Sequence, residues 1–95
     1  MDKQKLRAEI FAQINEERDR QDAEYKEANG ENTLSDWGCI LGEENGEVLK
    51  EINDIKHKGK STADLKKELI QEGAVIFAIL EQLAANPDLG KKKHS

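Results

Sequence analysis

The fold is decided by residues 37–55, which read WGCILGEENGEVLKEINDI. Each residue turns an α-helix by about 100°, and at that spacing the apolar side chains of this stretch gather on one side. They are Trp37, Ile40, Leu41, Val48, Ile52 and Ile55, all within about 60° of one line. The stretch has no proline and no strand-like alternation, so it predicts an amphipathic helix with one buried face.

Two further helices are predicted around this one, and no part of the chain reads as a strand. The first is expected to run from about residue 2 to 26. The third is expected from Thr62 to about Ala85, where Asn86 and Pro87 would stop it. The chain is therefore predicted to be all-α, with three main helices. We expect one helical domain over residues 1–86 and a flexible basic tail over 87–95.

The sequence also carries signals for the ends of these helices. Ser35 or Thr33 is expected to cap the second helix, and Gly59 to follow its last turn. Residues 61–64, Ser-Thr-Ala-Asp, have the form of a capping sequence for the third helix.

Composition and charge limit the classes of function. The chain has 95 residues, a formal net charge of −5 and one cysteine, Cys39. A negative chain is not expected to bind nucleic-acid polymers, which favour a basic surface. No apolar run approaches the roughly 18–20 residues that span a bilayer, and residues 1–7 do not resemble a signal peptide. We therefore expect a cytoplasmic protein with no membrane partner.

The apolar faces of the second and third helices also carry acidic side chains. On the second helix Glu44 lies in the middle of the face, with Glu47 to one side of it. On the third, Glu72 lies inside the apolar stripe and Glu68 lies beside it. Carboxylates on a buried face are costly unless they are paired or bound to a cation.

Clustered carboxylates on two neighbouring helices indicate a metal site. They offer the hard oxygen ligands that Mg²⁺ prefers, with Mn²⁺ as the alternative ion. For a single glutamate, a buried stem with a solvated head is the simpler interpretation. For four or five on two consecutive helices, the metal site is favoured. The third helix has a second apolar patch, Ile70 and Phe77, and self-association would cover it.

The sequence EENGE at residues 43–47 resembles the EExxE signature of the MazG-like, all-α nucleoside triphosphate pyrophosphohydrolases. In that family an ExxD signature follows on the next helix, and ELIQ at residues 68–71 occupies its place here. The run ERDRQ at 17–21, with Tyr25 and Trp37, is also similar to short phage and bacterial MazG-like proteins. The resemblance covers about residues 14–84.

The resemblance implies a homodimer or tetramer, with a four-helix-bundle-like dimer core that holds the metal. It implies cleavage of a nucleoside triphosphate to the monophosphate and pyrophosphate. Glu44, Glu47 and Glu68 are the matched metal ligands, and Glu43, with Glu44, belongs to the catalytic group by orienting or deprotonating water. The aspartate of the family falls on Gln71, a poorer ligand, and Glu72 is a candidate to replace it.

The candidate substrate-binding residues are Arg18, Gln21, Tyr25, Trp37 and Lys50. The arginine and the lysine carry charges suited to phosphate, although a solvated helix surface explains each equally well. The tryptophan and the tyrosine can stack on a base, although a core position is the more common role for a tryptophan on an apolar stripe.

Two other interpretations stay open. One is a catalytically degenerate relative, a helical dimer that binds nucleotide and metal or a protein partner, which the missing aspartate favours. The other is a plain helical bundle with no ligand.

Overall fold

The computed structural model describes residues 2–24 and 32–91. These residues form three α-helices and no strand, which confirms the all-helical prediction. They are α1 (Lys3–Glu24), α2 (Leu34–Lys58) and α3 (Ala63–Ala85). The residues that would extend the first helix to position 26 lie outside the described part of the chain.

The ends of α2 are fixed by local hydrogen bonds. Thr33, one of the two predicted caps, forms a capping box with Asp36. The Thr33 hydroxyl accepts from the Asp36 N–H at 3.1 Å, and the Asp36 carboxylate accepts from the Thr33 N–H at 2.9 Å. At the other end Gly59 has the left-handed conformation, with φ 65°, and its N–H donates to the Ile55 carbonyl. The prediction for Gly59 is confirmed.

The start of α3 matches its prediction in part. The Ser61 hydroxyl, at the start of the predicted capping sequence, accepts a hydrogen bond from the Ala63 N–H at 3.5 Å. The Thr62 side chain makes no capping hydrogen bond. Instead the Asp64 carboxylate pairs with the Lys60 ammonium at 2.9 Å. That ammonium also lies 2.9 Å from the Glu51 carboxylate of α2. Lys60 therefore links α2 to α3. Its ion pair engages the Asp64 carboxylate, which in a capping box would accept a backbone N–H.

The middle layer of the fold is α3, which packs against α1 on one side and α2 on the other, whereas α1 and α2 do not pack together over their described lengths. Between α2 and α3, Trp37, Val75 and Ala78 form a buried cluster. On the α1 side, the Phe11 and Phe77 rings meet edge to face at 6.1 Å. The second apolar patch of α3 thus has a neighbour within the chain.

The segment after Pro87 packs back onto the helices. Leu89 lies against the buried cluster of Trp37, Val75 and Ala78. Gly90 has a φ of 85°, and a Cβ atom there would lie 2.2 Å from the Leu34 Cδ1 atom. Residues 92–95, the basic end of the predicted tail, lie outside the described part of the chain.

Several apolar side chains on the predicted buried faces are exposed instead. Ile52 of α2 is 46% exposed, and Leu69 and Leu80 of α3 are 49% and 57% exposed. The prediction that these residues are buried is wrong for the chain by itself, because α2 and α1 cover only two sides of α3. No large side chain is fully buried among residues 2–24 and 32–91. Nor do those residues include a helix with the length and apolar character needed to cross a lipid bilayer.

We expect Gly59→Ala to destabilise the protein by about 1–2 kcal/mol, because an alanine is strained in the left-handed region. A Cβ atom at Gly59 would contact nothing within 4 Å, so any loss reports the backbone alone. Gly42→Ala, in the interior of α2 with equally open surroundings, should instead stabilise by roughly 0.5–1 kcal/mol. Urea unfolding of both variants measures this, and a loss at both positions would contradict the assignment.

Candidate functional site

A cavity of about 480 Å³ opens where α1 and α2 diverge over α3. All three helices line it, together with one residue that precedes α2. Its acidic side is built from α1 and α2, and its apolar side from α2 and α3. The lining residues are Glu17, Arg18, Arg20, Gln21, Asn32, Trp37, Ile40, Glu43, Glu44, Gln71, Val75 and Ala78.

Glu44 is the residue of this cavity whose charge is least well accommodated. Its side chain is half-buried, and its Oε2 atom is buried without a hydrogen-bond partner. Burial raises the pKa of Glu44 above its ordinary value of 4.5, and four nearby carboxylates raise it further. In order of effect these are Glu68, Glu17, Glu47 and Glu72. Carboxylates from all three helices therefore act on one buried oxygen.

The glutamates predicted as metal ligands thus share one electrostatic environment, but they differ in exposure. Glu44, Glu68 and Glu72 are half-buried, and Glu47 is exposed. Over the described residues, no three Asp, Glu, His or Cys side chains are arranged so that they could hold one metal ion. The carboxylates act on one another electrostatically. As the described residues stand, they do not form a coordination sphere around one point.

Glu43 and Gln71 both line the cavity. The Glu43 side chain is exposed, as a group that contacts water must be, whereas Gln71 is half-buried. The backbone carbonyl of Gln71 accepts a hydrogen bond of 3.5 Å from the Gln21 Nε2 atom. Gln21, a predicted substrate-binding residue, therefore lies in the cavity and bridges α1 to α3.

Glu17 is a site residue that the sequence analysis did not select. It is half-buried on α1, and its carboxylate accepts from Arg20 at 2.7 Å and from Gln21 at 3.0 Å. The hydrogen bond from Arg20 lowers the pKa of Glu17 despite its burial. The signal was present in the sequence, because Glu17 and Gln21 continue the helical stripe of Ile10 and Ile14.

Arg18, a predicted substrate-binding residue, is engaged in ion pairs within the chain. It is 8% exposed, and its guanidinium lies 3.0 Å from the Glu81 carboxylate of α3 and 2.8 Å from Asp22. These pairs raise the pKa of Arg18 further, with the Glu81 hydrogen bond as the largest cause. Arg18 lines the cavity, but its charge is engaged in joining α1 to α3.

Trp37 forms part of the core and also part of the cavity wall. It is 7% exposed, and its indole N–H donates to the Gln82 Oε1 atom at 2.8 Å. The Gln82 amide in turn donates to the Asn32 carbonyl at 2.7 Å. Gln82 thus fixes the orientation of the indole ring. The sequence analysis did not identify Gln82, because no local pattern predicts a hydrogen bond across 45 residues.

Of the two remaining candidates for substrate binding, Lys50 is exposed on α2 and does not line the cavity. Tyr25 lies outside the described residues.

Comparisons with protein-family models, with curated proteins and with solved structures find no match to this chain. The resemblance to MazG-like hydrolases thus rests on its sequence motifs and stays a prediction.

We expect Glu44→Gln to stabilise the protein at neutral pH in the presence of a chelator. Because the folded-state pKa is raised, the folded protein loses stability as pH rises from about 4.5 through that pKa. The glutamine variant lacks this loss. Its gain in unfolding free energy over the unaltered chain should be small at pH 4.5 and should reach about 1 kcal/mol at pH 7.5, the usual gain when a buried charge without a hydrogen-bond partner is removed.

Urea unfolding at the two pH values measures the difference. Glu43→Gln, an exposed neighbour on the same helix, is the matched control and should change little. An equal gain at both pH values, or destabilisation by Glu44→Gln at pH 7.5, would contradict the electrostatic interpretation of Glu44.

Proposed function

We propose that this chain is a Mg²⁺-dependent nucleotide pyrophosphohydrolase that cleaves (d)NTP to (d)NMP and pyrophosphate in the cavity between α1 and α2. One observation carries the proposal: the buried, unpaired Glu44 oxygen lies in the field of four other carboxylates. Such an arrangement lowers the stability of the protein by itself, and a divalent cation would relieve it. The EExxE resemblance supports the same reaction.

The oxygen donors around Glu44 fit a hard cation. Glu44 and Gln71 line the cavity. Glu47, Glu68 and Glu72 do not line it, but their charges act on Glu44. Glu44, Glu47 and Glu68 would hold the cation, with Glu72 or Gln71 completing the set, because carboxylate and amide oxygens are the ligands that Mg²⁺ and Mn²⁺ accept. Glutamate side chains have three rotatable bonds, so rotamer changes can bring them together. When bound, the ion supplies charge neutralisation for the phosphates and lowers the pKa of a coordinated water.

The chain itself would position the reactants and accept a proton. Water attacks the α-phosphorus, the bond from that phosphorus to the bridging oxygen of the β-phosphate breaks, and pyrophosphate leaves. Glu43, exposed at the cavity edge, would take the proton from the attacking water. Trp37, Ile40 and Val75 form an apolar wall that suits the nucleoside.

A second copy of the chain is part of this proposal. Leu69, Ile76 and Leu80 recur along one line of α3 and are 49%, 42% and 57% exposed. A stripe of this kind on a helix is typical of packing against another helix. A dimer resembling a four-helix bundle would cover it, and we propose that this dimer acts on the nucleotides of the cytoplasm.

A degenerate nucleotide- or partner-binding dimer is the second candidate. Gln71 favours it, because a neutral amide at the position of the family's aspartate weakens the attraction for a cation. Binding of Mg²⁺ without hydrolysis would distinguish this function from the enzyme.

The hydrolase is tested with a panel of NTPs and dNTPs plus Mg²⁺, with pyrophosphate release as the measurement. We expect release from at least one nucleotide, and loss of about 100-fold or more in kcat/KM for Glu44→Gln and Glu68→Gln. Glu16→Gln, an exposed change on α1 outside the cavity, should retain activity. Orthophosphate as the released product, or no release by a folded protein, would overturn the reaction proposed.

Self-association is tested by sedimentation equilibrium. We expect a mass of about twice the 10.7 kDa of one chain. Leu80→Lys should weaken the dimer at least tenfold, because burying a leucine contributes about 1.5–3 kcal/mol. Leu6→Lys, near the start of α1, is the control and should leave the mass unchanged. A monomer for the unaltered chain, or an unchanged dimer with Leu80→Lys, would refute this assembly.

A further inference from the structure

A second cavity, of about 500 Å³, lies between α1 and the beginning of α3. It shares Glu17, Arg20 and Gln71 with the cavity that contains Glu44, so the two cavities adjoin, and we call the pair the trough. The added part contains two neighbouring lysines of α3. Its lining residues are Gln13, Glu17, Arg20, Lys66, Lys67, Ile70 and Gln71. We call Arg20, Lys66 and Lys67 the basic shelf.

The basic shelf carries positive charge in a chain whose net charge is −5. Glu17 is its one carboxylate, and it pairs with Arg20, which lies 2.7 Å away. The Arg20 guanidinium also pairs with Glu24, so the free positive charge of the shelf comes from the two lysines. Among the residues that the structure describes, neither Lys66 nor Lys67 forms an ion pair, and both are exposed. Their ammonium groups therefore remain available to an anion in the trough.

The location of the lysines on α3 strengthens this interpretation. α3 begins at Ala63, so Lys66 and Lys67 lie close to its N-terminus. The positive end of the helix dipole disfavours cations there and favours anions. The lysines thus do not stabilise the helix that carries them, and an anion bound between them would be attracted by the side chains and by the helix.

We propose that the basic shelf binds the diphosphate group that leaves as pyrophosphate, while the α-phosphate lies among the glutamates at the other end of the trough. This inference rests on the proposed function for the direction of the substrate. The separation of charge along the trough supports it: carboxylates surround Glu44, and lysines line the far end. The two lysines of the shelf, which form no ion pair over the described residues, suit a ligand with two adjacent phosphates better than a single phosphate.

The test is calorimetric binding of inorganic pyrophosphate and of orthophosphate at fixed ionic strength, with and without Mg²⁺. We expect pyrophosphate to bind more tightly than orthophosphate. The Lys66→Gln/Lys67→Gln double variant should lose at least tenfold in pyrophosphate affinity. The matched control, Lys3→Gln/Lys5→Gln, makes the same change in net charge on an exposed part of α1 and should lose less than twofold. Lys66→Arg/Lys67→Arg should keep affinity within threefold, since it keeps the charge.

Equal losses in the shelf variant and the control would overturn the shelf, because general electrostatics would then explain them. Absence of pyrophosphate binding to the unaltered chain would overturn it as well. Circular dichroism of each variant separates a loss of binding from a loss of helix. If pyrophosphate binds through Lys66 and Lys67 but no nucleotide is cleaved, the basic shelf is supported and the hydrolase is refuted. If nucleotides are cleaved at an unchanged rate by the double lysine variant, the hydrolase is supported and the basic shelf is refuted.

Discussion

The main electrostatic constraint on this fold is the desolvated carboxylate of Glu44, a charged group on the apolar side of the central stretch of sequence. Other charged side chains that are buried have partners: Arg18 pairs with Glu81, Glu51 with Lys60, and Asp54 with Lys58. A buried carboxylate without such a partner costs free energy. Over the described residues, the charged side chains that are buried as a whole are paired, whereas the buried Glu44 oxygen is not. The proposed cation site rests on this contrast.

The layered arrangement of the helices follows from which faces of each helix are apolar and which are polar. α3 carries apolar residues on opposite sides and therefore accepts two neighbours, and α1 and α2 remain apart above it. The cavity between them is lined by carboxylates of α1 and α2. Arg18 and Gln21 bridge α1 to α3, and Lys60 bridges α2 to α3. These contacts hold the walls of the cavity while leaving its acidic side open.

Sequence reasoning succeeded where the signal was local. Helical periodicity located the three helices and placed Glu44 on an apolar face, and Gly59 marked the end of α2, since these features depend on neighbouring residues. It failed where the partner is distant in sequence. The pairing of Arg18 with Glu81 and the hydrogen bond from Trp37 to Gln82 depend on how α1 and α2 dock on α3. The capping sequence predicted for α3 is only partly formed for a local reason, because the Asp64 carboxylate pairs with the Lys60 ammonium.

The proposed function and the stability of the fold are coupled. Repulsion around Glu44 opposes folding at neutral pH. In a single chain the apolar stripe of α3 (Leu69, Ile76 and Leu80) is also exposed to water, so its burial does not contribute fully to stability. A cation or a second copy that binds only the folded state adds a free energy of RT ln(1 + [L]/Kd) to its stability. At a concentration one hundred times Kd this is about 2.7 kcal/mol, a large share of what a small domain has. Under the proposed function, binding of a cation and assembly with a second copy would return the stability that the acidic site removes from so small a core.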